Sequence, residues 1–232
     1  MSGLGWLNGE AFGVFGQHVI WSDALGNTLG LAGLALGWRR SVATWPVQLL
    51  SGLVLVAAYA SAHLAGGVGK QLLVVAVALW GWRQWRRGDR RAQDGSVAIR
   101  FAGGRERLLL AAGTAVGTLA VGTLFTYLPQ LSWNPWPDAY IFVGTLAAMV
   151  AQARGLVEFW AAWLLVDVVG VPLAFSSGLA FSGLVYVVYL ALVLWGLRSW
   201  WLGSRSAAAS AAPPDTAGAA GSQNPCWEGT AP

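Results

Sequence analysis

The sequence predicts an all-α membrane protein, with seven transmembrane helices in a 3+1+3 arrangement of two parallel three-helix repeats. Three observations carry that expectation. The 232 residues are 56% hydrophobic and only 10% charged, against about 25% charged in soluble domains. Seven stretches are long and apolar enough for a bilayer core of about 30 Å, which takes roughly 20 residues of helix. The chain also matches itself at an offset of 115 residues.

The composition excludes a soluble globular enzyme, a disordered protein and a disulfide scaffold. Mean hydropathy is +0.56. The chain holds fifteen tryptophans, a residue that favours membrane interfaces and aromatic-lined sites. Cys226 is the only cysteine and has no intrachain partner. The net charge of +4 comes from arginine, which in a membrane protein reports orientation before it reports nucleic acid.

The elements follow in order. Residues 1–20, with Trp6, Phe12 and Phe15, are too short and polar to span and are read as an interfacial segment. They lack the basic start and small-residue cleavage site of a secretory signal. The predicted spans run near 21–38, 43–63 and 69–86, then 107–129, then 137–154, 156–175 and 178–202. Residues 87–106 are a basic loop. From 203 to 232 the chain turns to Ala, Ser, Gly and Pro, the composition of a disordered tail.

Lys and Arg collect in cytoplasmic loops. Arg39 and Arg40 follow the first span, eight arginines from Arg83 to Arg107 lie around the central loop, Arg154 follows the fifth span, and Arg198 and Arg205 close the seventh. With the N-terminus outside and the C-terminus inside, 13 of the 14 cations are cytoplasmic and Lys70 alone is external. The arginine-rich loop is read as topogenic, not as a nucleic-acid site.

The internal repeat sets the architecture. At the 115-residue offset Trp21, Asp23 and Ala24 fall on Trp136, Asp138 and Ala139, and Arg39 falls on Arg154. Trp45 falls on Trp160, while Trp80, Gly81, Arg83 and Trp85 fall on Trp195, Gly196, Arg198 and Trp200. Chance accounts for aliphatic coincidences in such helices, but not for Trp, Asp and Arg at one offset. Each copy holds three helices, so the fourth supplies the return crossing and the copies run parallel. Transporters built from such repeats bind substrate between them near the bilayer midplane.

The same residues carry a resemblance. W-P-D-A-Y at 136–140, V-E-F-W-A-A-W-L-L-V-D-V at 157–168, then Y-V-V-Y-L-A-L and W-G-L-R-S-W resemble the PnuC family of vitamin transporters over roughly 20–202, most closely its riboflavin-transporting branch. The resemblance implies a SWEET-like seven-helix fold in the cell membrane. It implies uptake of riboflavin, nicotinamide riboside or thiamine by facilitated diffusion, the vitamin being trapped inside by phosphorylation.

The candidate site centres on the sixth span. Trp160, Trp163 and Asp167 are spaced by three and four residues and so share one helical face. Asp167 lies about 13 Å along the axis from Glu158 at 1.5 Å per residue, near mid-membrane, where a carboxylate is costly and faces a cavity or a partner. The functional reading is a polar anchor beside two stacking indoles. The alternatives are a structural Asp bonded to a neighbouring helix and interface-belt tryptophans. By the resemblance Trp160 and Trp163 stack on substrate, and Gln71 matches a glutamine of the family pattern. Ser51 and Asp167 stand where nicotinamide riboside members carry Asn. Tyr186, at the repeat position of Gln71, and Trp45, the repeat mate of Trp160, are candidate wall residues, with packing as the other role for both.

Asp23 and Asp138 are first-turn acids, which stabilise a helix N-terminus by about 0.3–1 kcal/mol. His18, His63 and Cys226 have no metal-ligand neighbours at useful spacing. No nucleotide loop or nucleophile elbow occurs, so neither a cofactor nor enzymatic activity is expected. A membrane enzyme using Asp167, and a vitamin sensor that binds without exchange, are the competing classes. Asp167 is the only deep acid, which argues against a proton relay. Between substrates, nicotinamide riboside and thiamine are cations for which an ionised Asp167 would be counter-ion, but the nicotinamide riboside pattern lacks both its Asn residues. Riboflavin is the expected substrate: two indoles to stack its ring, with Asp167, Ser51 and Gln71 for its ribityl hydroxyls. The expected partners are the vitamin, the lipid bilayer and, at most, further copies of the chain; no nucleic acid is expected.

Overall fold

The computed structural model describes residues 5–14, 16–61, 65–87, 97–132, 134–176 and 180–210. Seven long helices dominate it: α1 (Trp21–Trp38), α2 (Thr44–Ser61), α3 (Ala65–Arg86), α4 (Gly104–Tyr127), α5 (Pro135–Ala153), α6 (Glu158–Ser176) and α7 (Ala180–Ser210). Their starts follow the local chemistry. Pro135 opens α5 with Asp138 in its first turn, a pre-set φ and a favourable charge at the N-terminus. In α4 the side chain of Glu106 accepts from the amide of Gly103 at 3.1 Å, satisfying a donor that the helix leaves orphaned.

Three boundaries differ most from expectation, and one of them is the start of α3, at Ala65 instead of 69. Helix α4 starts at Gly104 instead of 107, because that Glu106 bond extends its first turn. Helix α7 runs to Ser210, so the tail predicted from 203 begins as helix; its Ala-rich start is a good helix former. Residues 211–232, with Cys226, lie outside the described residues, as do His63 and residues 88–96 of the basic loop.

A further departure from the all-helical expectation is at the N-terminus. A 3-10 turn at Gly5–Asn8 leads into an antiparallel hairpin of β1 (Glu10–Val14) and β2 (Gln17–Ile20). Gly16, with φ +73°, makes the reversal that a side chain would resist. The segment is tied down: Leu7 and Val19 are buried, the Trp6 and Trp21 rings meet edge to face at 6.2 Å, and Trp21 N–H donates to Gly9 O at 3.1 Å.

Among the described residues, three helical stretches are long and apolar enough by length and composition to cross a membrane: Thr44–Ser61, Gly104–Tyr127 and Gly183–Gly203. Helices α1, α3, α5 and α6 have 18, 22, 19 and 19 residues and carry polar groups such as Asn27, Gln71, Gln152 and Asp167. Helix α4 packs on α5 and leaves Leu108, Leu109, Val116 and Leu119 exposed, the kind of continuous apolar surface that marks a membrane contact. Near its far end Lys70 of α3 lies over the Phe125 ring at 4.8 Å.

Neighbours in sequence pack together within α1–α3 and within α5–α7, and between these groups α3 packs on α5 and α1 on α7. The two α-corners match bond for bond. After α1, Arg40 N–H donates to Gly37 O at 2.9 Å and Ser41 N–H to Leu36 O at 3.0 Å. After α5, Gly155 N–H donates to Gln152 O at 2.9 Å and Leu156 N–H to Ala151 O at 3.0 Å. Both are Schellman closures, with left-handed φ of 55° at Arg40 and 66° at Gly155. Glycine is needed at the second because a Cβ there would lie 2.7 Å from Ala98 O. The backbone of Arg100 docks on that corner, its N–H donating to Gly155 O and its carbonyl accepting from Val157 N–H, each at 3.0 Å.

The core is built on paired tryptophans. Trp45 meets Trp85 edge to face at 5.4 Å and Trp160 meets Trp200 at 5.8 Å. Trp85 Nε1 donates across the molecule to Gln152 O at 3.1 Å, and Trp200 Nε1 to Trp38 O at 3.2 Å.

Candidate substrate site

A cavity of about 380 Å³ lies among α1, α2, α3, α5, α6 and α7, within the roughly 300–1,000 Å³ of small-molecule sites. Five of the sequence-predicted residues line it: Ser51, Gln71, Trp163, Asp167 and Tyr186. They come from four helices, α2, α3, α6 and α7. Tertiary packing therefore brings together what the sequence holds up to 135 positions apart (51 to 186).

Two predicted residues are elsewhere. Trp160 and Trp45 are fully buried, at 0% exposure, and neither lines the cavity. The Trp160 ring sits on Gly196 and the Trp45 ring on Gly81, each so close that a Cβ on the glycine would collide with it. They are core residues, and the expectation that Trp160 stacks on substrate is corrected. The first turn of α6, with Trp160, meets α7, while Trp163 and Asp167 in its later turns line the cavity. Glu158 is likewise structural: it accepts from Ala102 N–H at 2.9 Å and from Arg107 Nε at 2.9 Å.

Asp167 is 1% exposed, yet lines the cavity, and its Oδ2 has no hydrogen-bond partner among the described residues. The Trp163 Nε1–H is also buried and has no hydrogen-bond partner among the described residues. Buried polar groups are nearly always paired. Trp45 Nε1 and Trp160 Nε1 in the core are unpartnered among the described residues as well, so what sets Asp167 and Trp163 apart is that both residues line the cavity. Ser51 is partly engaged, since its hydroxyl donates to Gly26 O at 3.1 Å and so leaves only lone pairs for a ligand. The Tyr186 ring lies 3.0 Å from a Cβ built on Gly170, so that glycine gives the tyrosine its place beside Asp167's helix.

The sequence reading missed several lining residues. Tyr59, Tyr189 and Met149 add aromatic and polarisable wall. Tyr189 donates to Asn27 O at 3.2 Å, with its hydroxyl over Gly30, where any Cβ would collide with it. Gln48 also lines the cavity; its Nε2 donates to Gln152 Oε1 at 3.3 Å, and its Oε1 is buried without a partner among the described residues. A signal for Gln48 was available, because a glutamine three residues after Trp45 in an apolar span is itself costly. Asp167 is the one ionisable acid or base other than tyrosine among the lining residues. Among the described residues no group of three or more His, Cys, Asp or Glu could hold a metal. Asp138 lies outside the cavity, accepting from the Ser132 hydroxyl.

Residues 20–202 match the family described as nicotinamide mononucleotide transporter. The riboflavin/roseoflavin transporter RibM of Streptomyces davaonensis is 65% identical over 202 residues, which cover 87% of this chain and 94% of that protein. The nicotinamide riboside transporter PnuC of Escherichia coli is 21% identical over 81% of this chain and 88% of its own length. The crystal structure of the vitamin B3 transporter PnuC superposes with a TM-score of 0.65 at 21% identity, over 80% of this chain and 83% of that one, a likeness of fold. With the match running from the start of α1 into α7, the chain belongs to the nicotinamide mononucleotide transporter family, the PnuC family of membrane transporters.

Proposed function

We propose that the protein imports riboflavin across the cell membrane by facilitated diffusion, with phosphorylation inside the cell holding the product there. The observation that carries the substrate is the 65% identity to a riboflavin/roseoflavin transporter over 87% of the chain. The cavity is compatible with it. Trp163, Tyr59 and Tyr186 offer ring faces for a flat heterocycle, and Asp167 offers acceptor oxygens to ribityl hydroxyls. Stacking contributes about 0.5–1.5 kcal/mol beyond area burial.

In this reading seven helices cross the bilayer, with the N-terminus outside and the C-terminus cytoplasmic. The arrangement is 3+1+3: α1–α3 and α5–α7 are parallel repeats about an axis along the membrane normal, and α4 is the return crossing. The matched Schellman corners support it, as does the exchange of packing partners, α3 on α5 and α7 on α1. Facilitated diffusion is supported by the cavity's single carboxylate, Asp167, since a proton relay uses chains of acids or histidines. The protein acts as a carrier and not as an enzyme.

Growth of a riboflavin auxotroph lacking its own importer tests the substrate. Rescue on micromolar riboflavin is expected. Failure there, alongside rescue of a nicotinamide riboside-dependent strain, overturns it in favour of the second reading, for which the distant similarity to PnuC speaks.

A further inference from the structure

Resting on the riboflavin reading, we infer that Gln48 is the specificity-determining residue for the ring. Its Oε1 accepts the imide N–H of the flavin's pyrimidine edge, and Gln152 is the positioning residue that holds the amide nitrogen and so leaves that oxygen free for a ligand.

The direction of the amide follows from a chain of hydrogen bonds whose far end can run only one way. Gly33 O is a main-chain carbonyl and can only accept. The Thr44 hydroxyl donates to it at 2.6 Å, so the Thr44 oxygen is left to accept. Gln152 Nε2 donates to that oxygen at 3.4 Å. Gln152 Oε1 therefore faces Gln48 and receives its Nε2 at 3.3 Å. The remaining atom, Gln48 Oε1, is buried, has no partner among the described residues, and belongs to a residue that lines the cavity. Rotating the Gln48 amide by half a turn would set two carbonyl oxygens against each other.

Gln152 is itself held. It is 0% exposed and its carbonyl accepts from Trp85 Nε1 at 3.1 Å. Gly37 leaves room for its amide, since a Cβ there would stand 2.8 Å from Nε2. The direction of the Gln48 amide, on a residue that lines the cavity, is thus fixed by three helices, α1, α2 and α5.

A fixed acceptor selects for a donor. Hydroxyls of the ribityl chain donate or accept as required, so they carry no preference. The isoalloxazine ring has one N–H, the imide between two carbonyls, and none of its other ring nitrogens carries a hydrogen. Sites built to hydrogen-bond a substrate N–H reject the analogue lacking it, because their own buried group is left unpaired.

The full chain, purified in detergent, is titrated with riboflavin and with N3-methylriboflavin, binding being read from quenching of flavin fluorescence. The wild type is expected to prefer riboflavin by about tenfold or more. Gln48→Met keeps the length of the side chain without its amide. It is expected to weaken riboflavin about tenfold and to bring the two ligands within about twofold of each other. Gln152→Met, which frees the Gln48 amide to rotate, is expected to reduce the preference with a smaller loss of riboflavin affinity, and it carries the test if Gln48→Met does not fold. A preference for riboflavin undiminished in either folded variant overturns the inference and leaves riboflavin transport standing. A wild type that binds another vitamin but not riboflavin defeats both.

Discussion

Trp160 and Gly196 touch across the α6–α7 interface so closely that no side chain can be placed on the glycine, and Trp45 and Gly81 repeat that contact between α2 and α3. The indoles fill space that the W-G motifs of α3 and α7 leave empty. Dense helix packing in membranes relies on such small residues, since apolar burial gives little advantage over lipid.

Replacing Trp160 by Ala is therefore expected to damage the fold before the site. Loss of a buried Trp costs about 3–5 kcal/mol, and Gly196→Ala is expected to be destabilising by overpacking, by about 1–3 kcal/mol. Thermal unfolding in detergent, followed by tryptophan fluorescence, should show lower midpoints for both. A Trp160→Ala protein as stable as wild type but unable to bind riboflavin would return Trp160 to the site.

Trp163 behaves in the opposite way. Trp163→Ala removes a cavity wall and an orphan donor, so riboflavin affinity should fall by about tenfold, near 1.4 kcal/mol. Its effect on the unfolding midpoint should be smaller than that of Trp160→Ala, because Trp163 is only half-buried. Equal destabilisation by the two would contradict the division of roles.

Asp167 Oδ2 has no hydrogen-bond partner among the described residues. Asp167→Ala should lower uptake by about tenfold or more, as loss of a hydrogen bond to a charged group or buried acceptor implies. Asp167→Asn keeps an acceptor and should retain more of the activity than Asp167→Ala. Initial rates of radiolabelled riboflavin uptake in proteoliposomes measure the order, and equal rates for the two variants would remove Asp167 from recognition.

Energy coupling is tested in the same vesicles. Exchange of labelled for unlabelled riboflavin without any gradient should proceed and should survive an uncoupler. Collapse of exchange on adding the uncoupler would point to a driving ion.

At the corner before α6, Glu158 holds both Ala102 N–H and the Arg107 side chain. Arg107→Ala leaves the amide bond in place and loses a half-exposed ion pair, worth about 0.2–1 kcal/mol. Glu158→Ala orphans the amide as well. The larger drop in unfolding midpoint is expected for Glu158→Ala, checked by the same melting experiment.

The sequence by itself determined the seven long helices. The helix expected at 21–38 is α1, Trp21–Trp38, because a run of apolar residues bounded by arginine leaves the chain few choices but helix. The 115-residue offset, read from Trp, Asp and Arg, reappears in the backbone bonds of the two corners. Periodicity also placed Trp160, Trp163 and Asp167 on one face. It could not say what that face meets, since a helical stripe fixes direction from its own axis and not the neighbour beyond it. Only the tertiary structure decided that Trp160 rests on Gly196 while Trp163 borders a cavity. The hairpin over α1 was hidden because its nine strand residues are short and polar-mixed, and Leu7 and Val19 gain burial only once the helices stand beside them. Gln48 and Gln152, 104 positions apart, acquire a direction solely through each other: a side-chain amide has no preferred orientation until packing supplies the partner that fixes its donor and frees its acceptor.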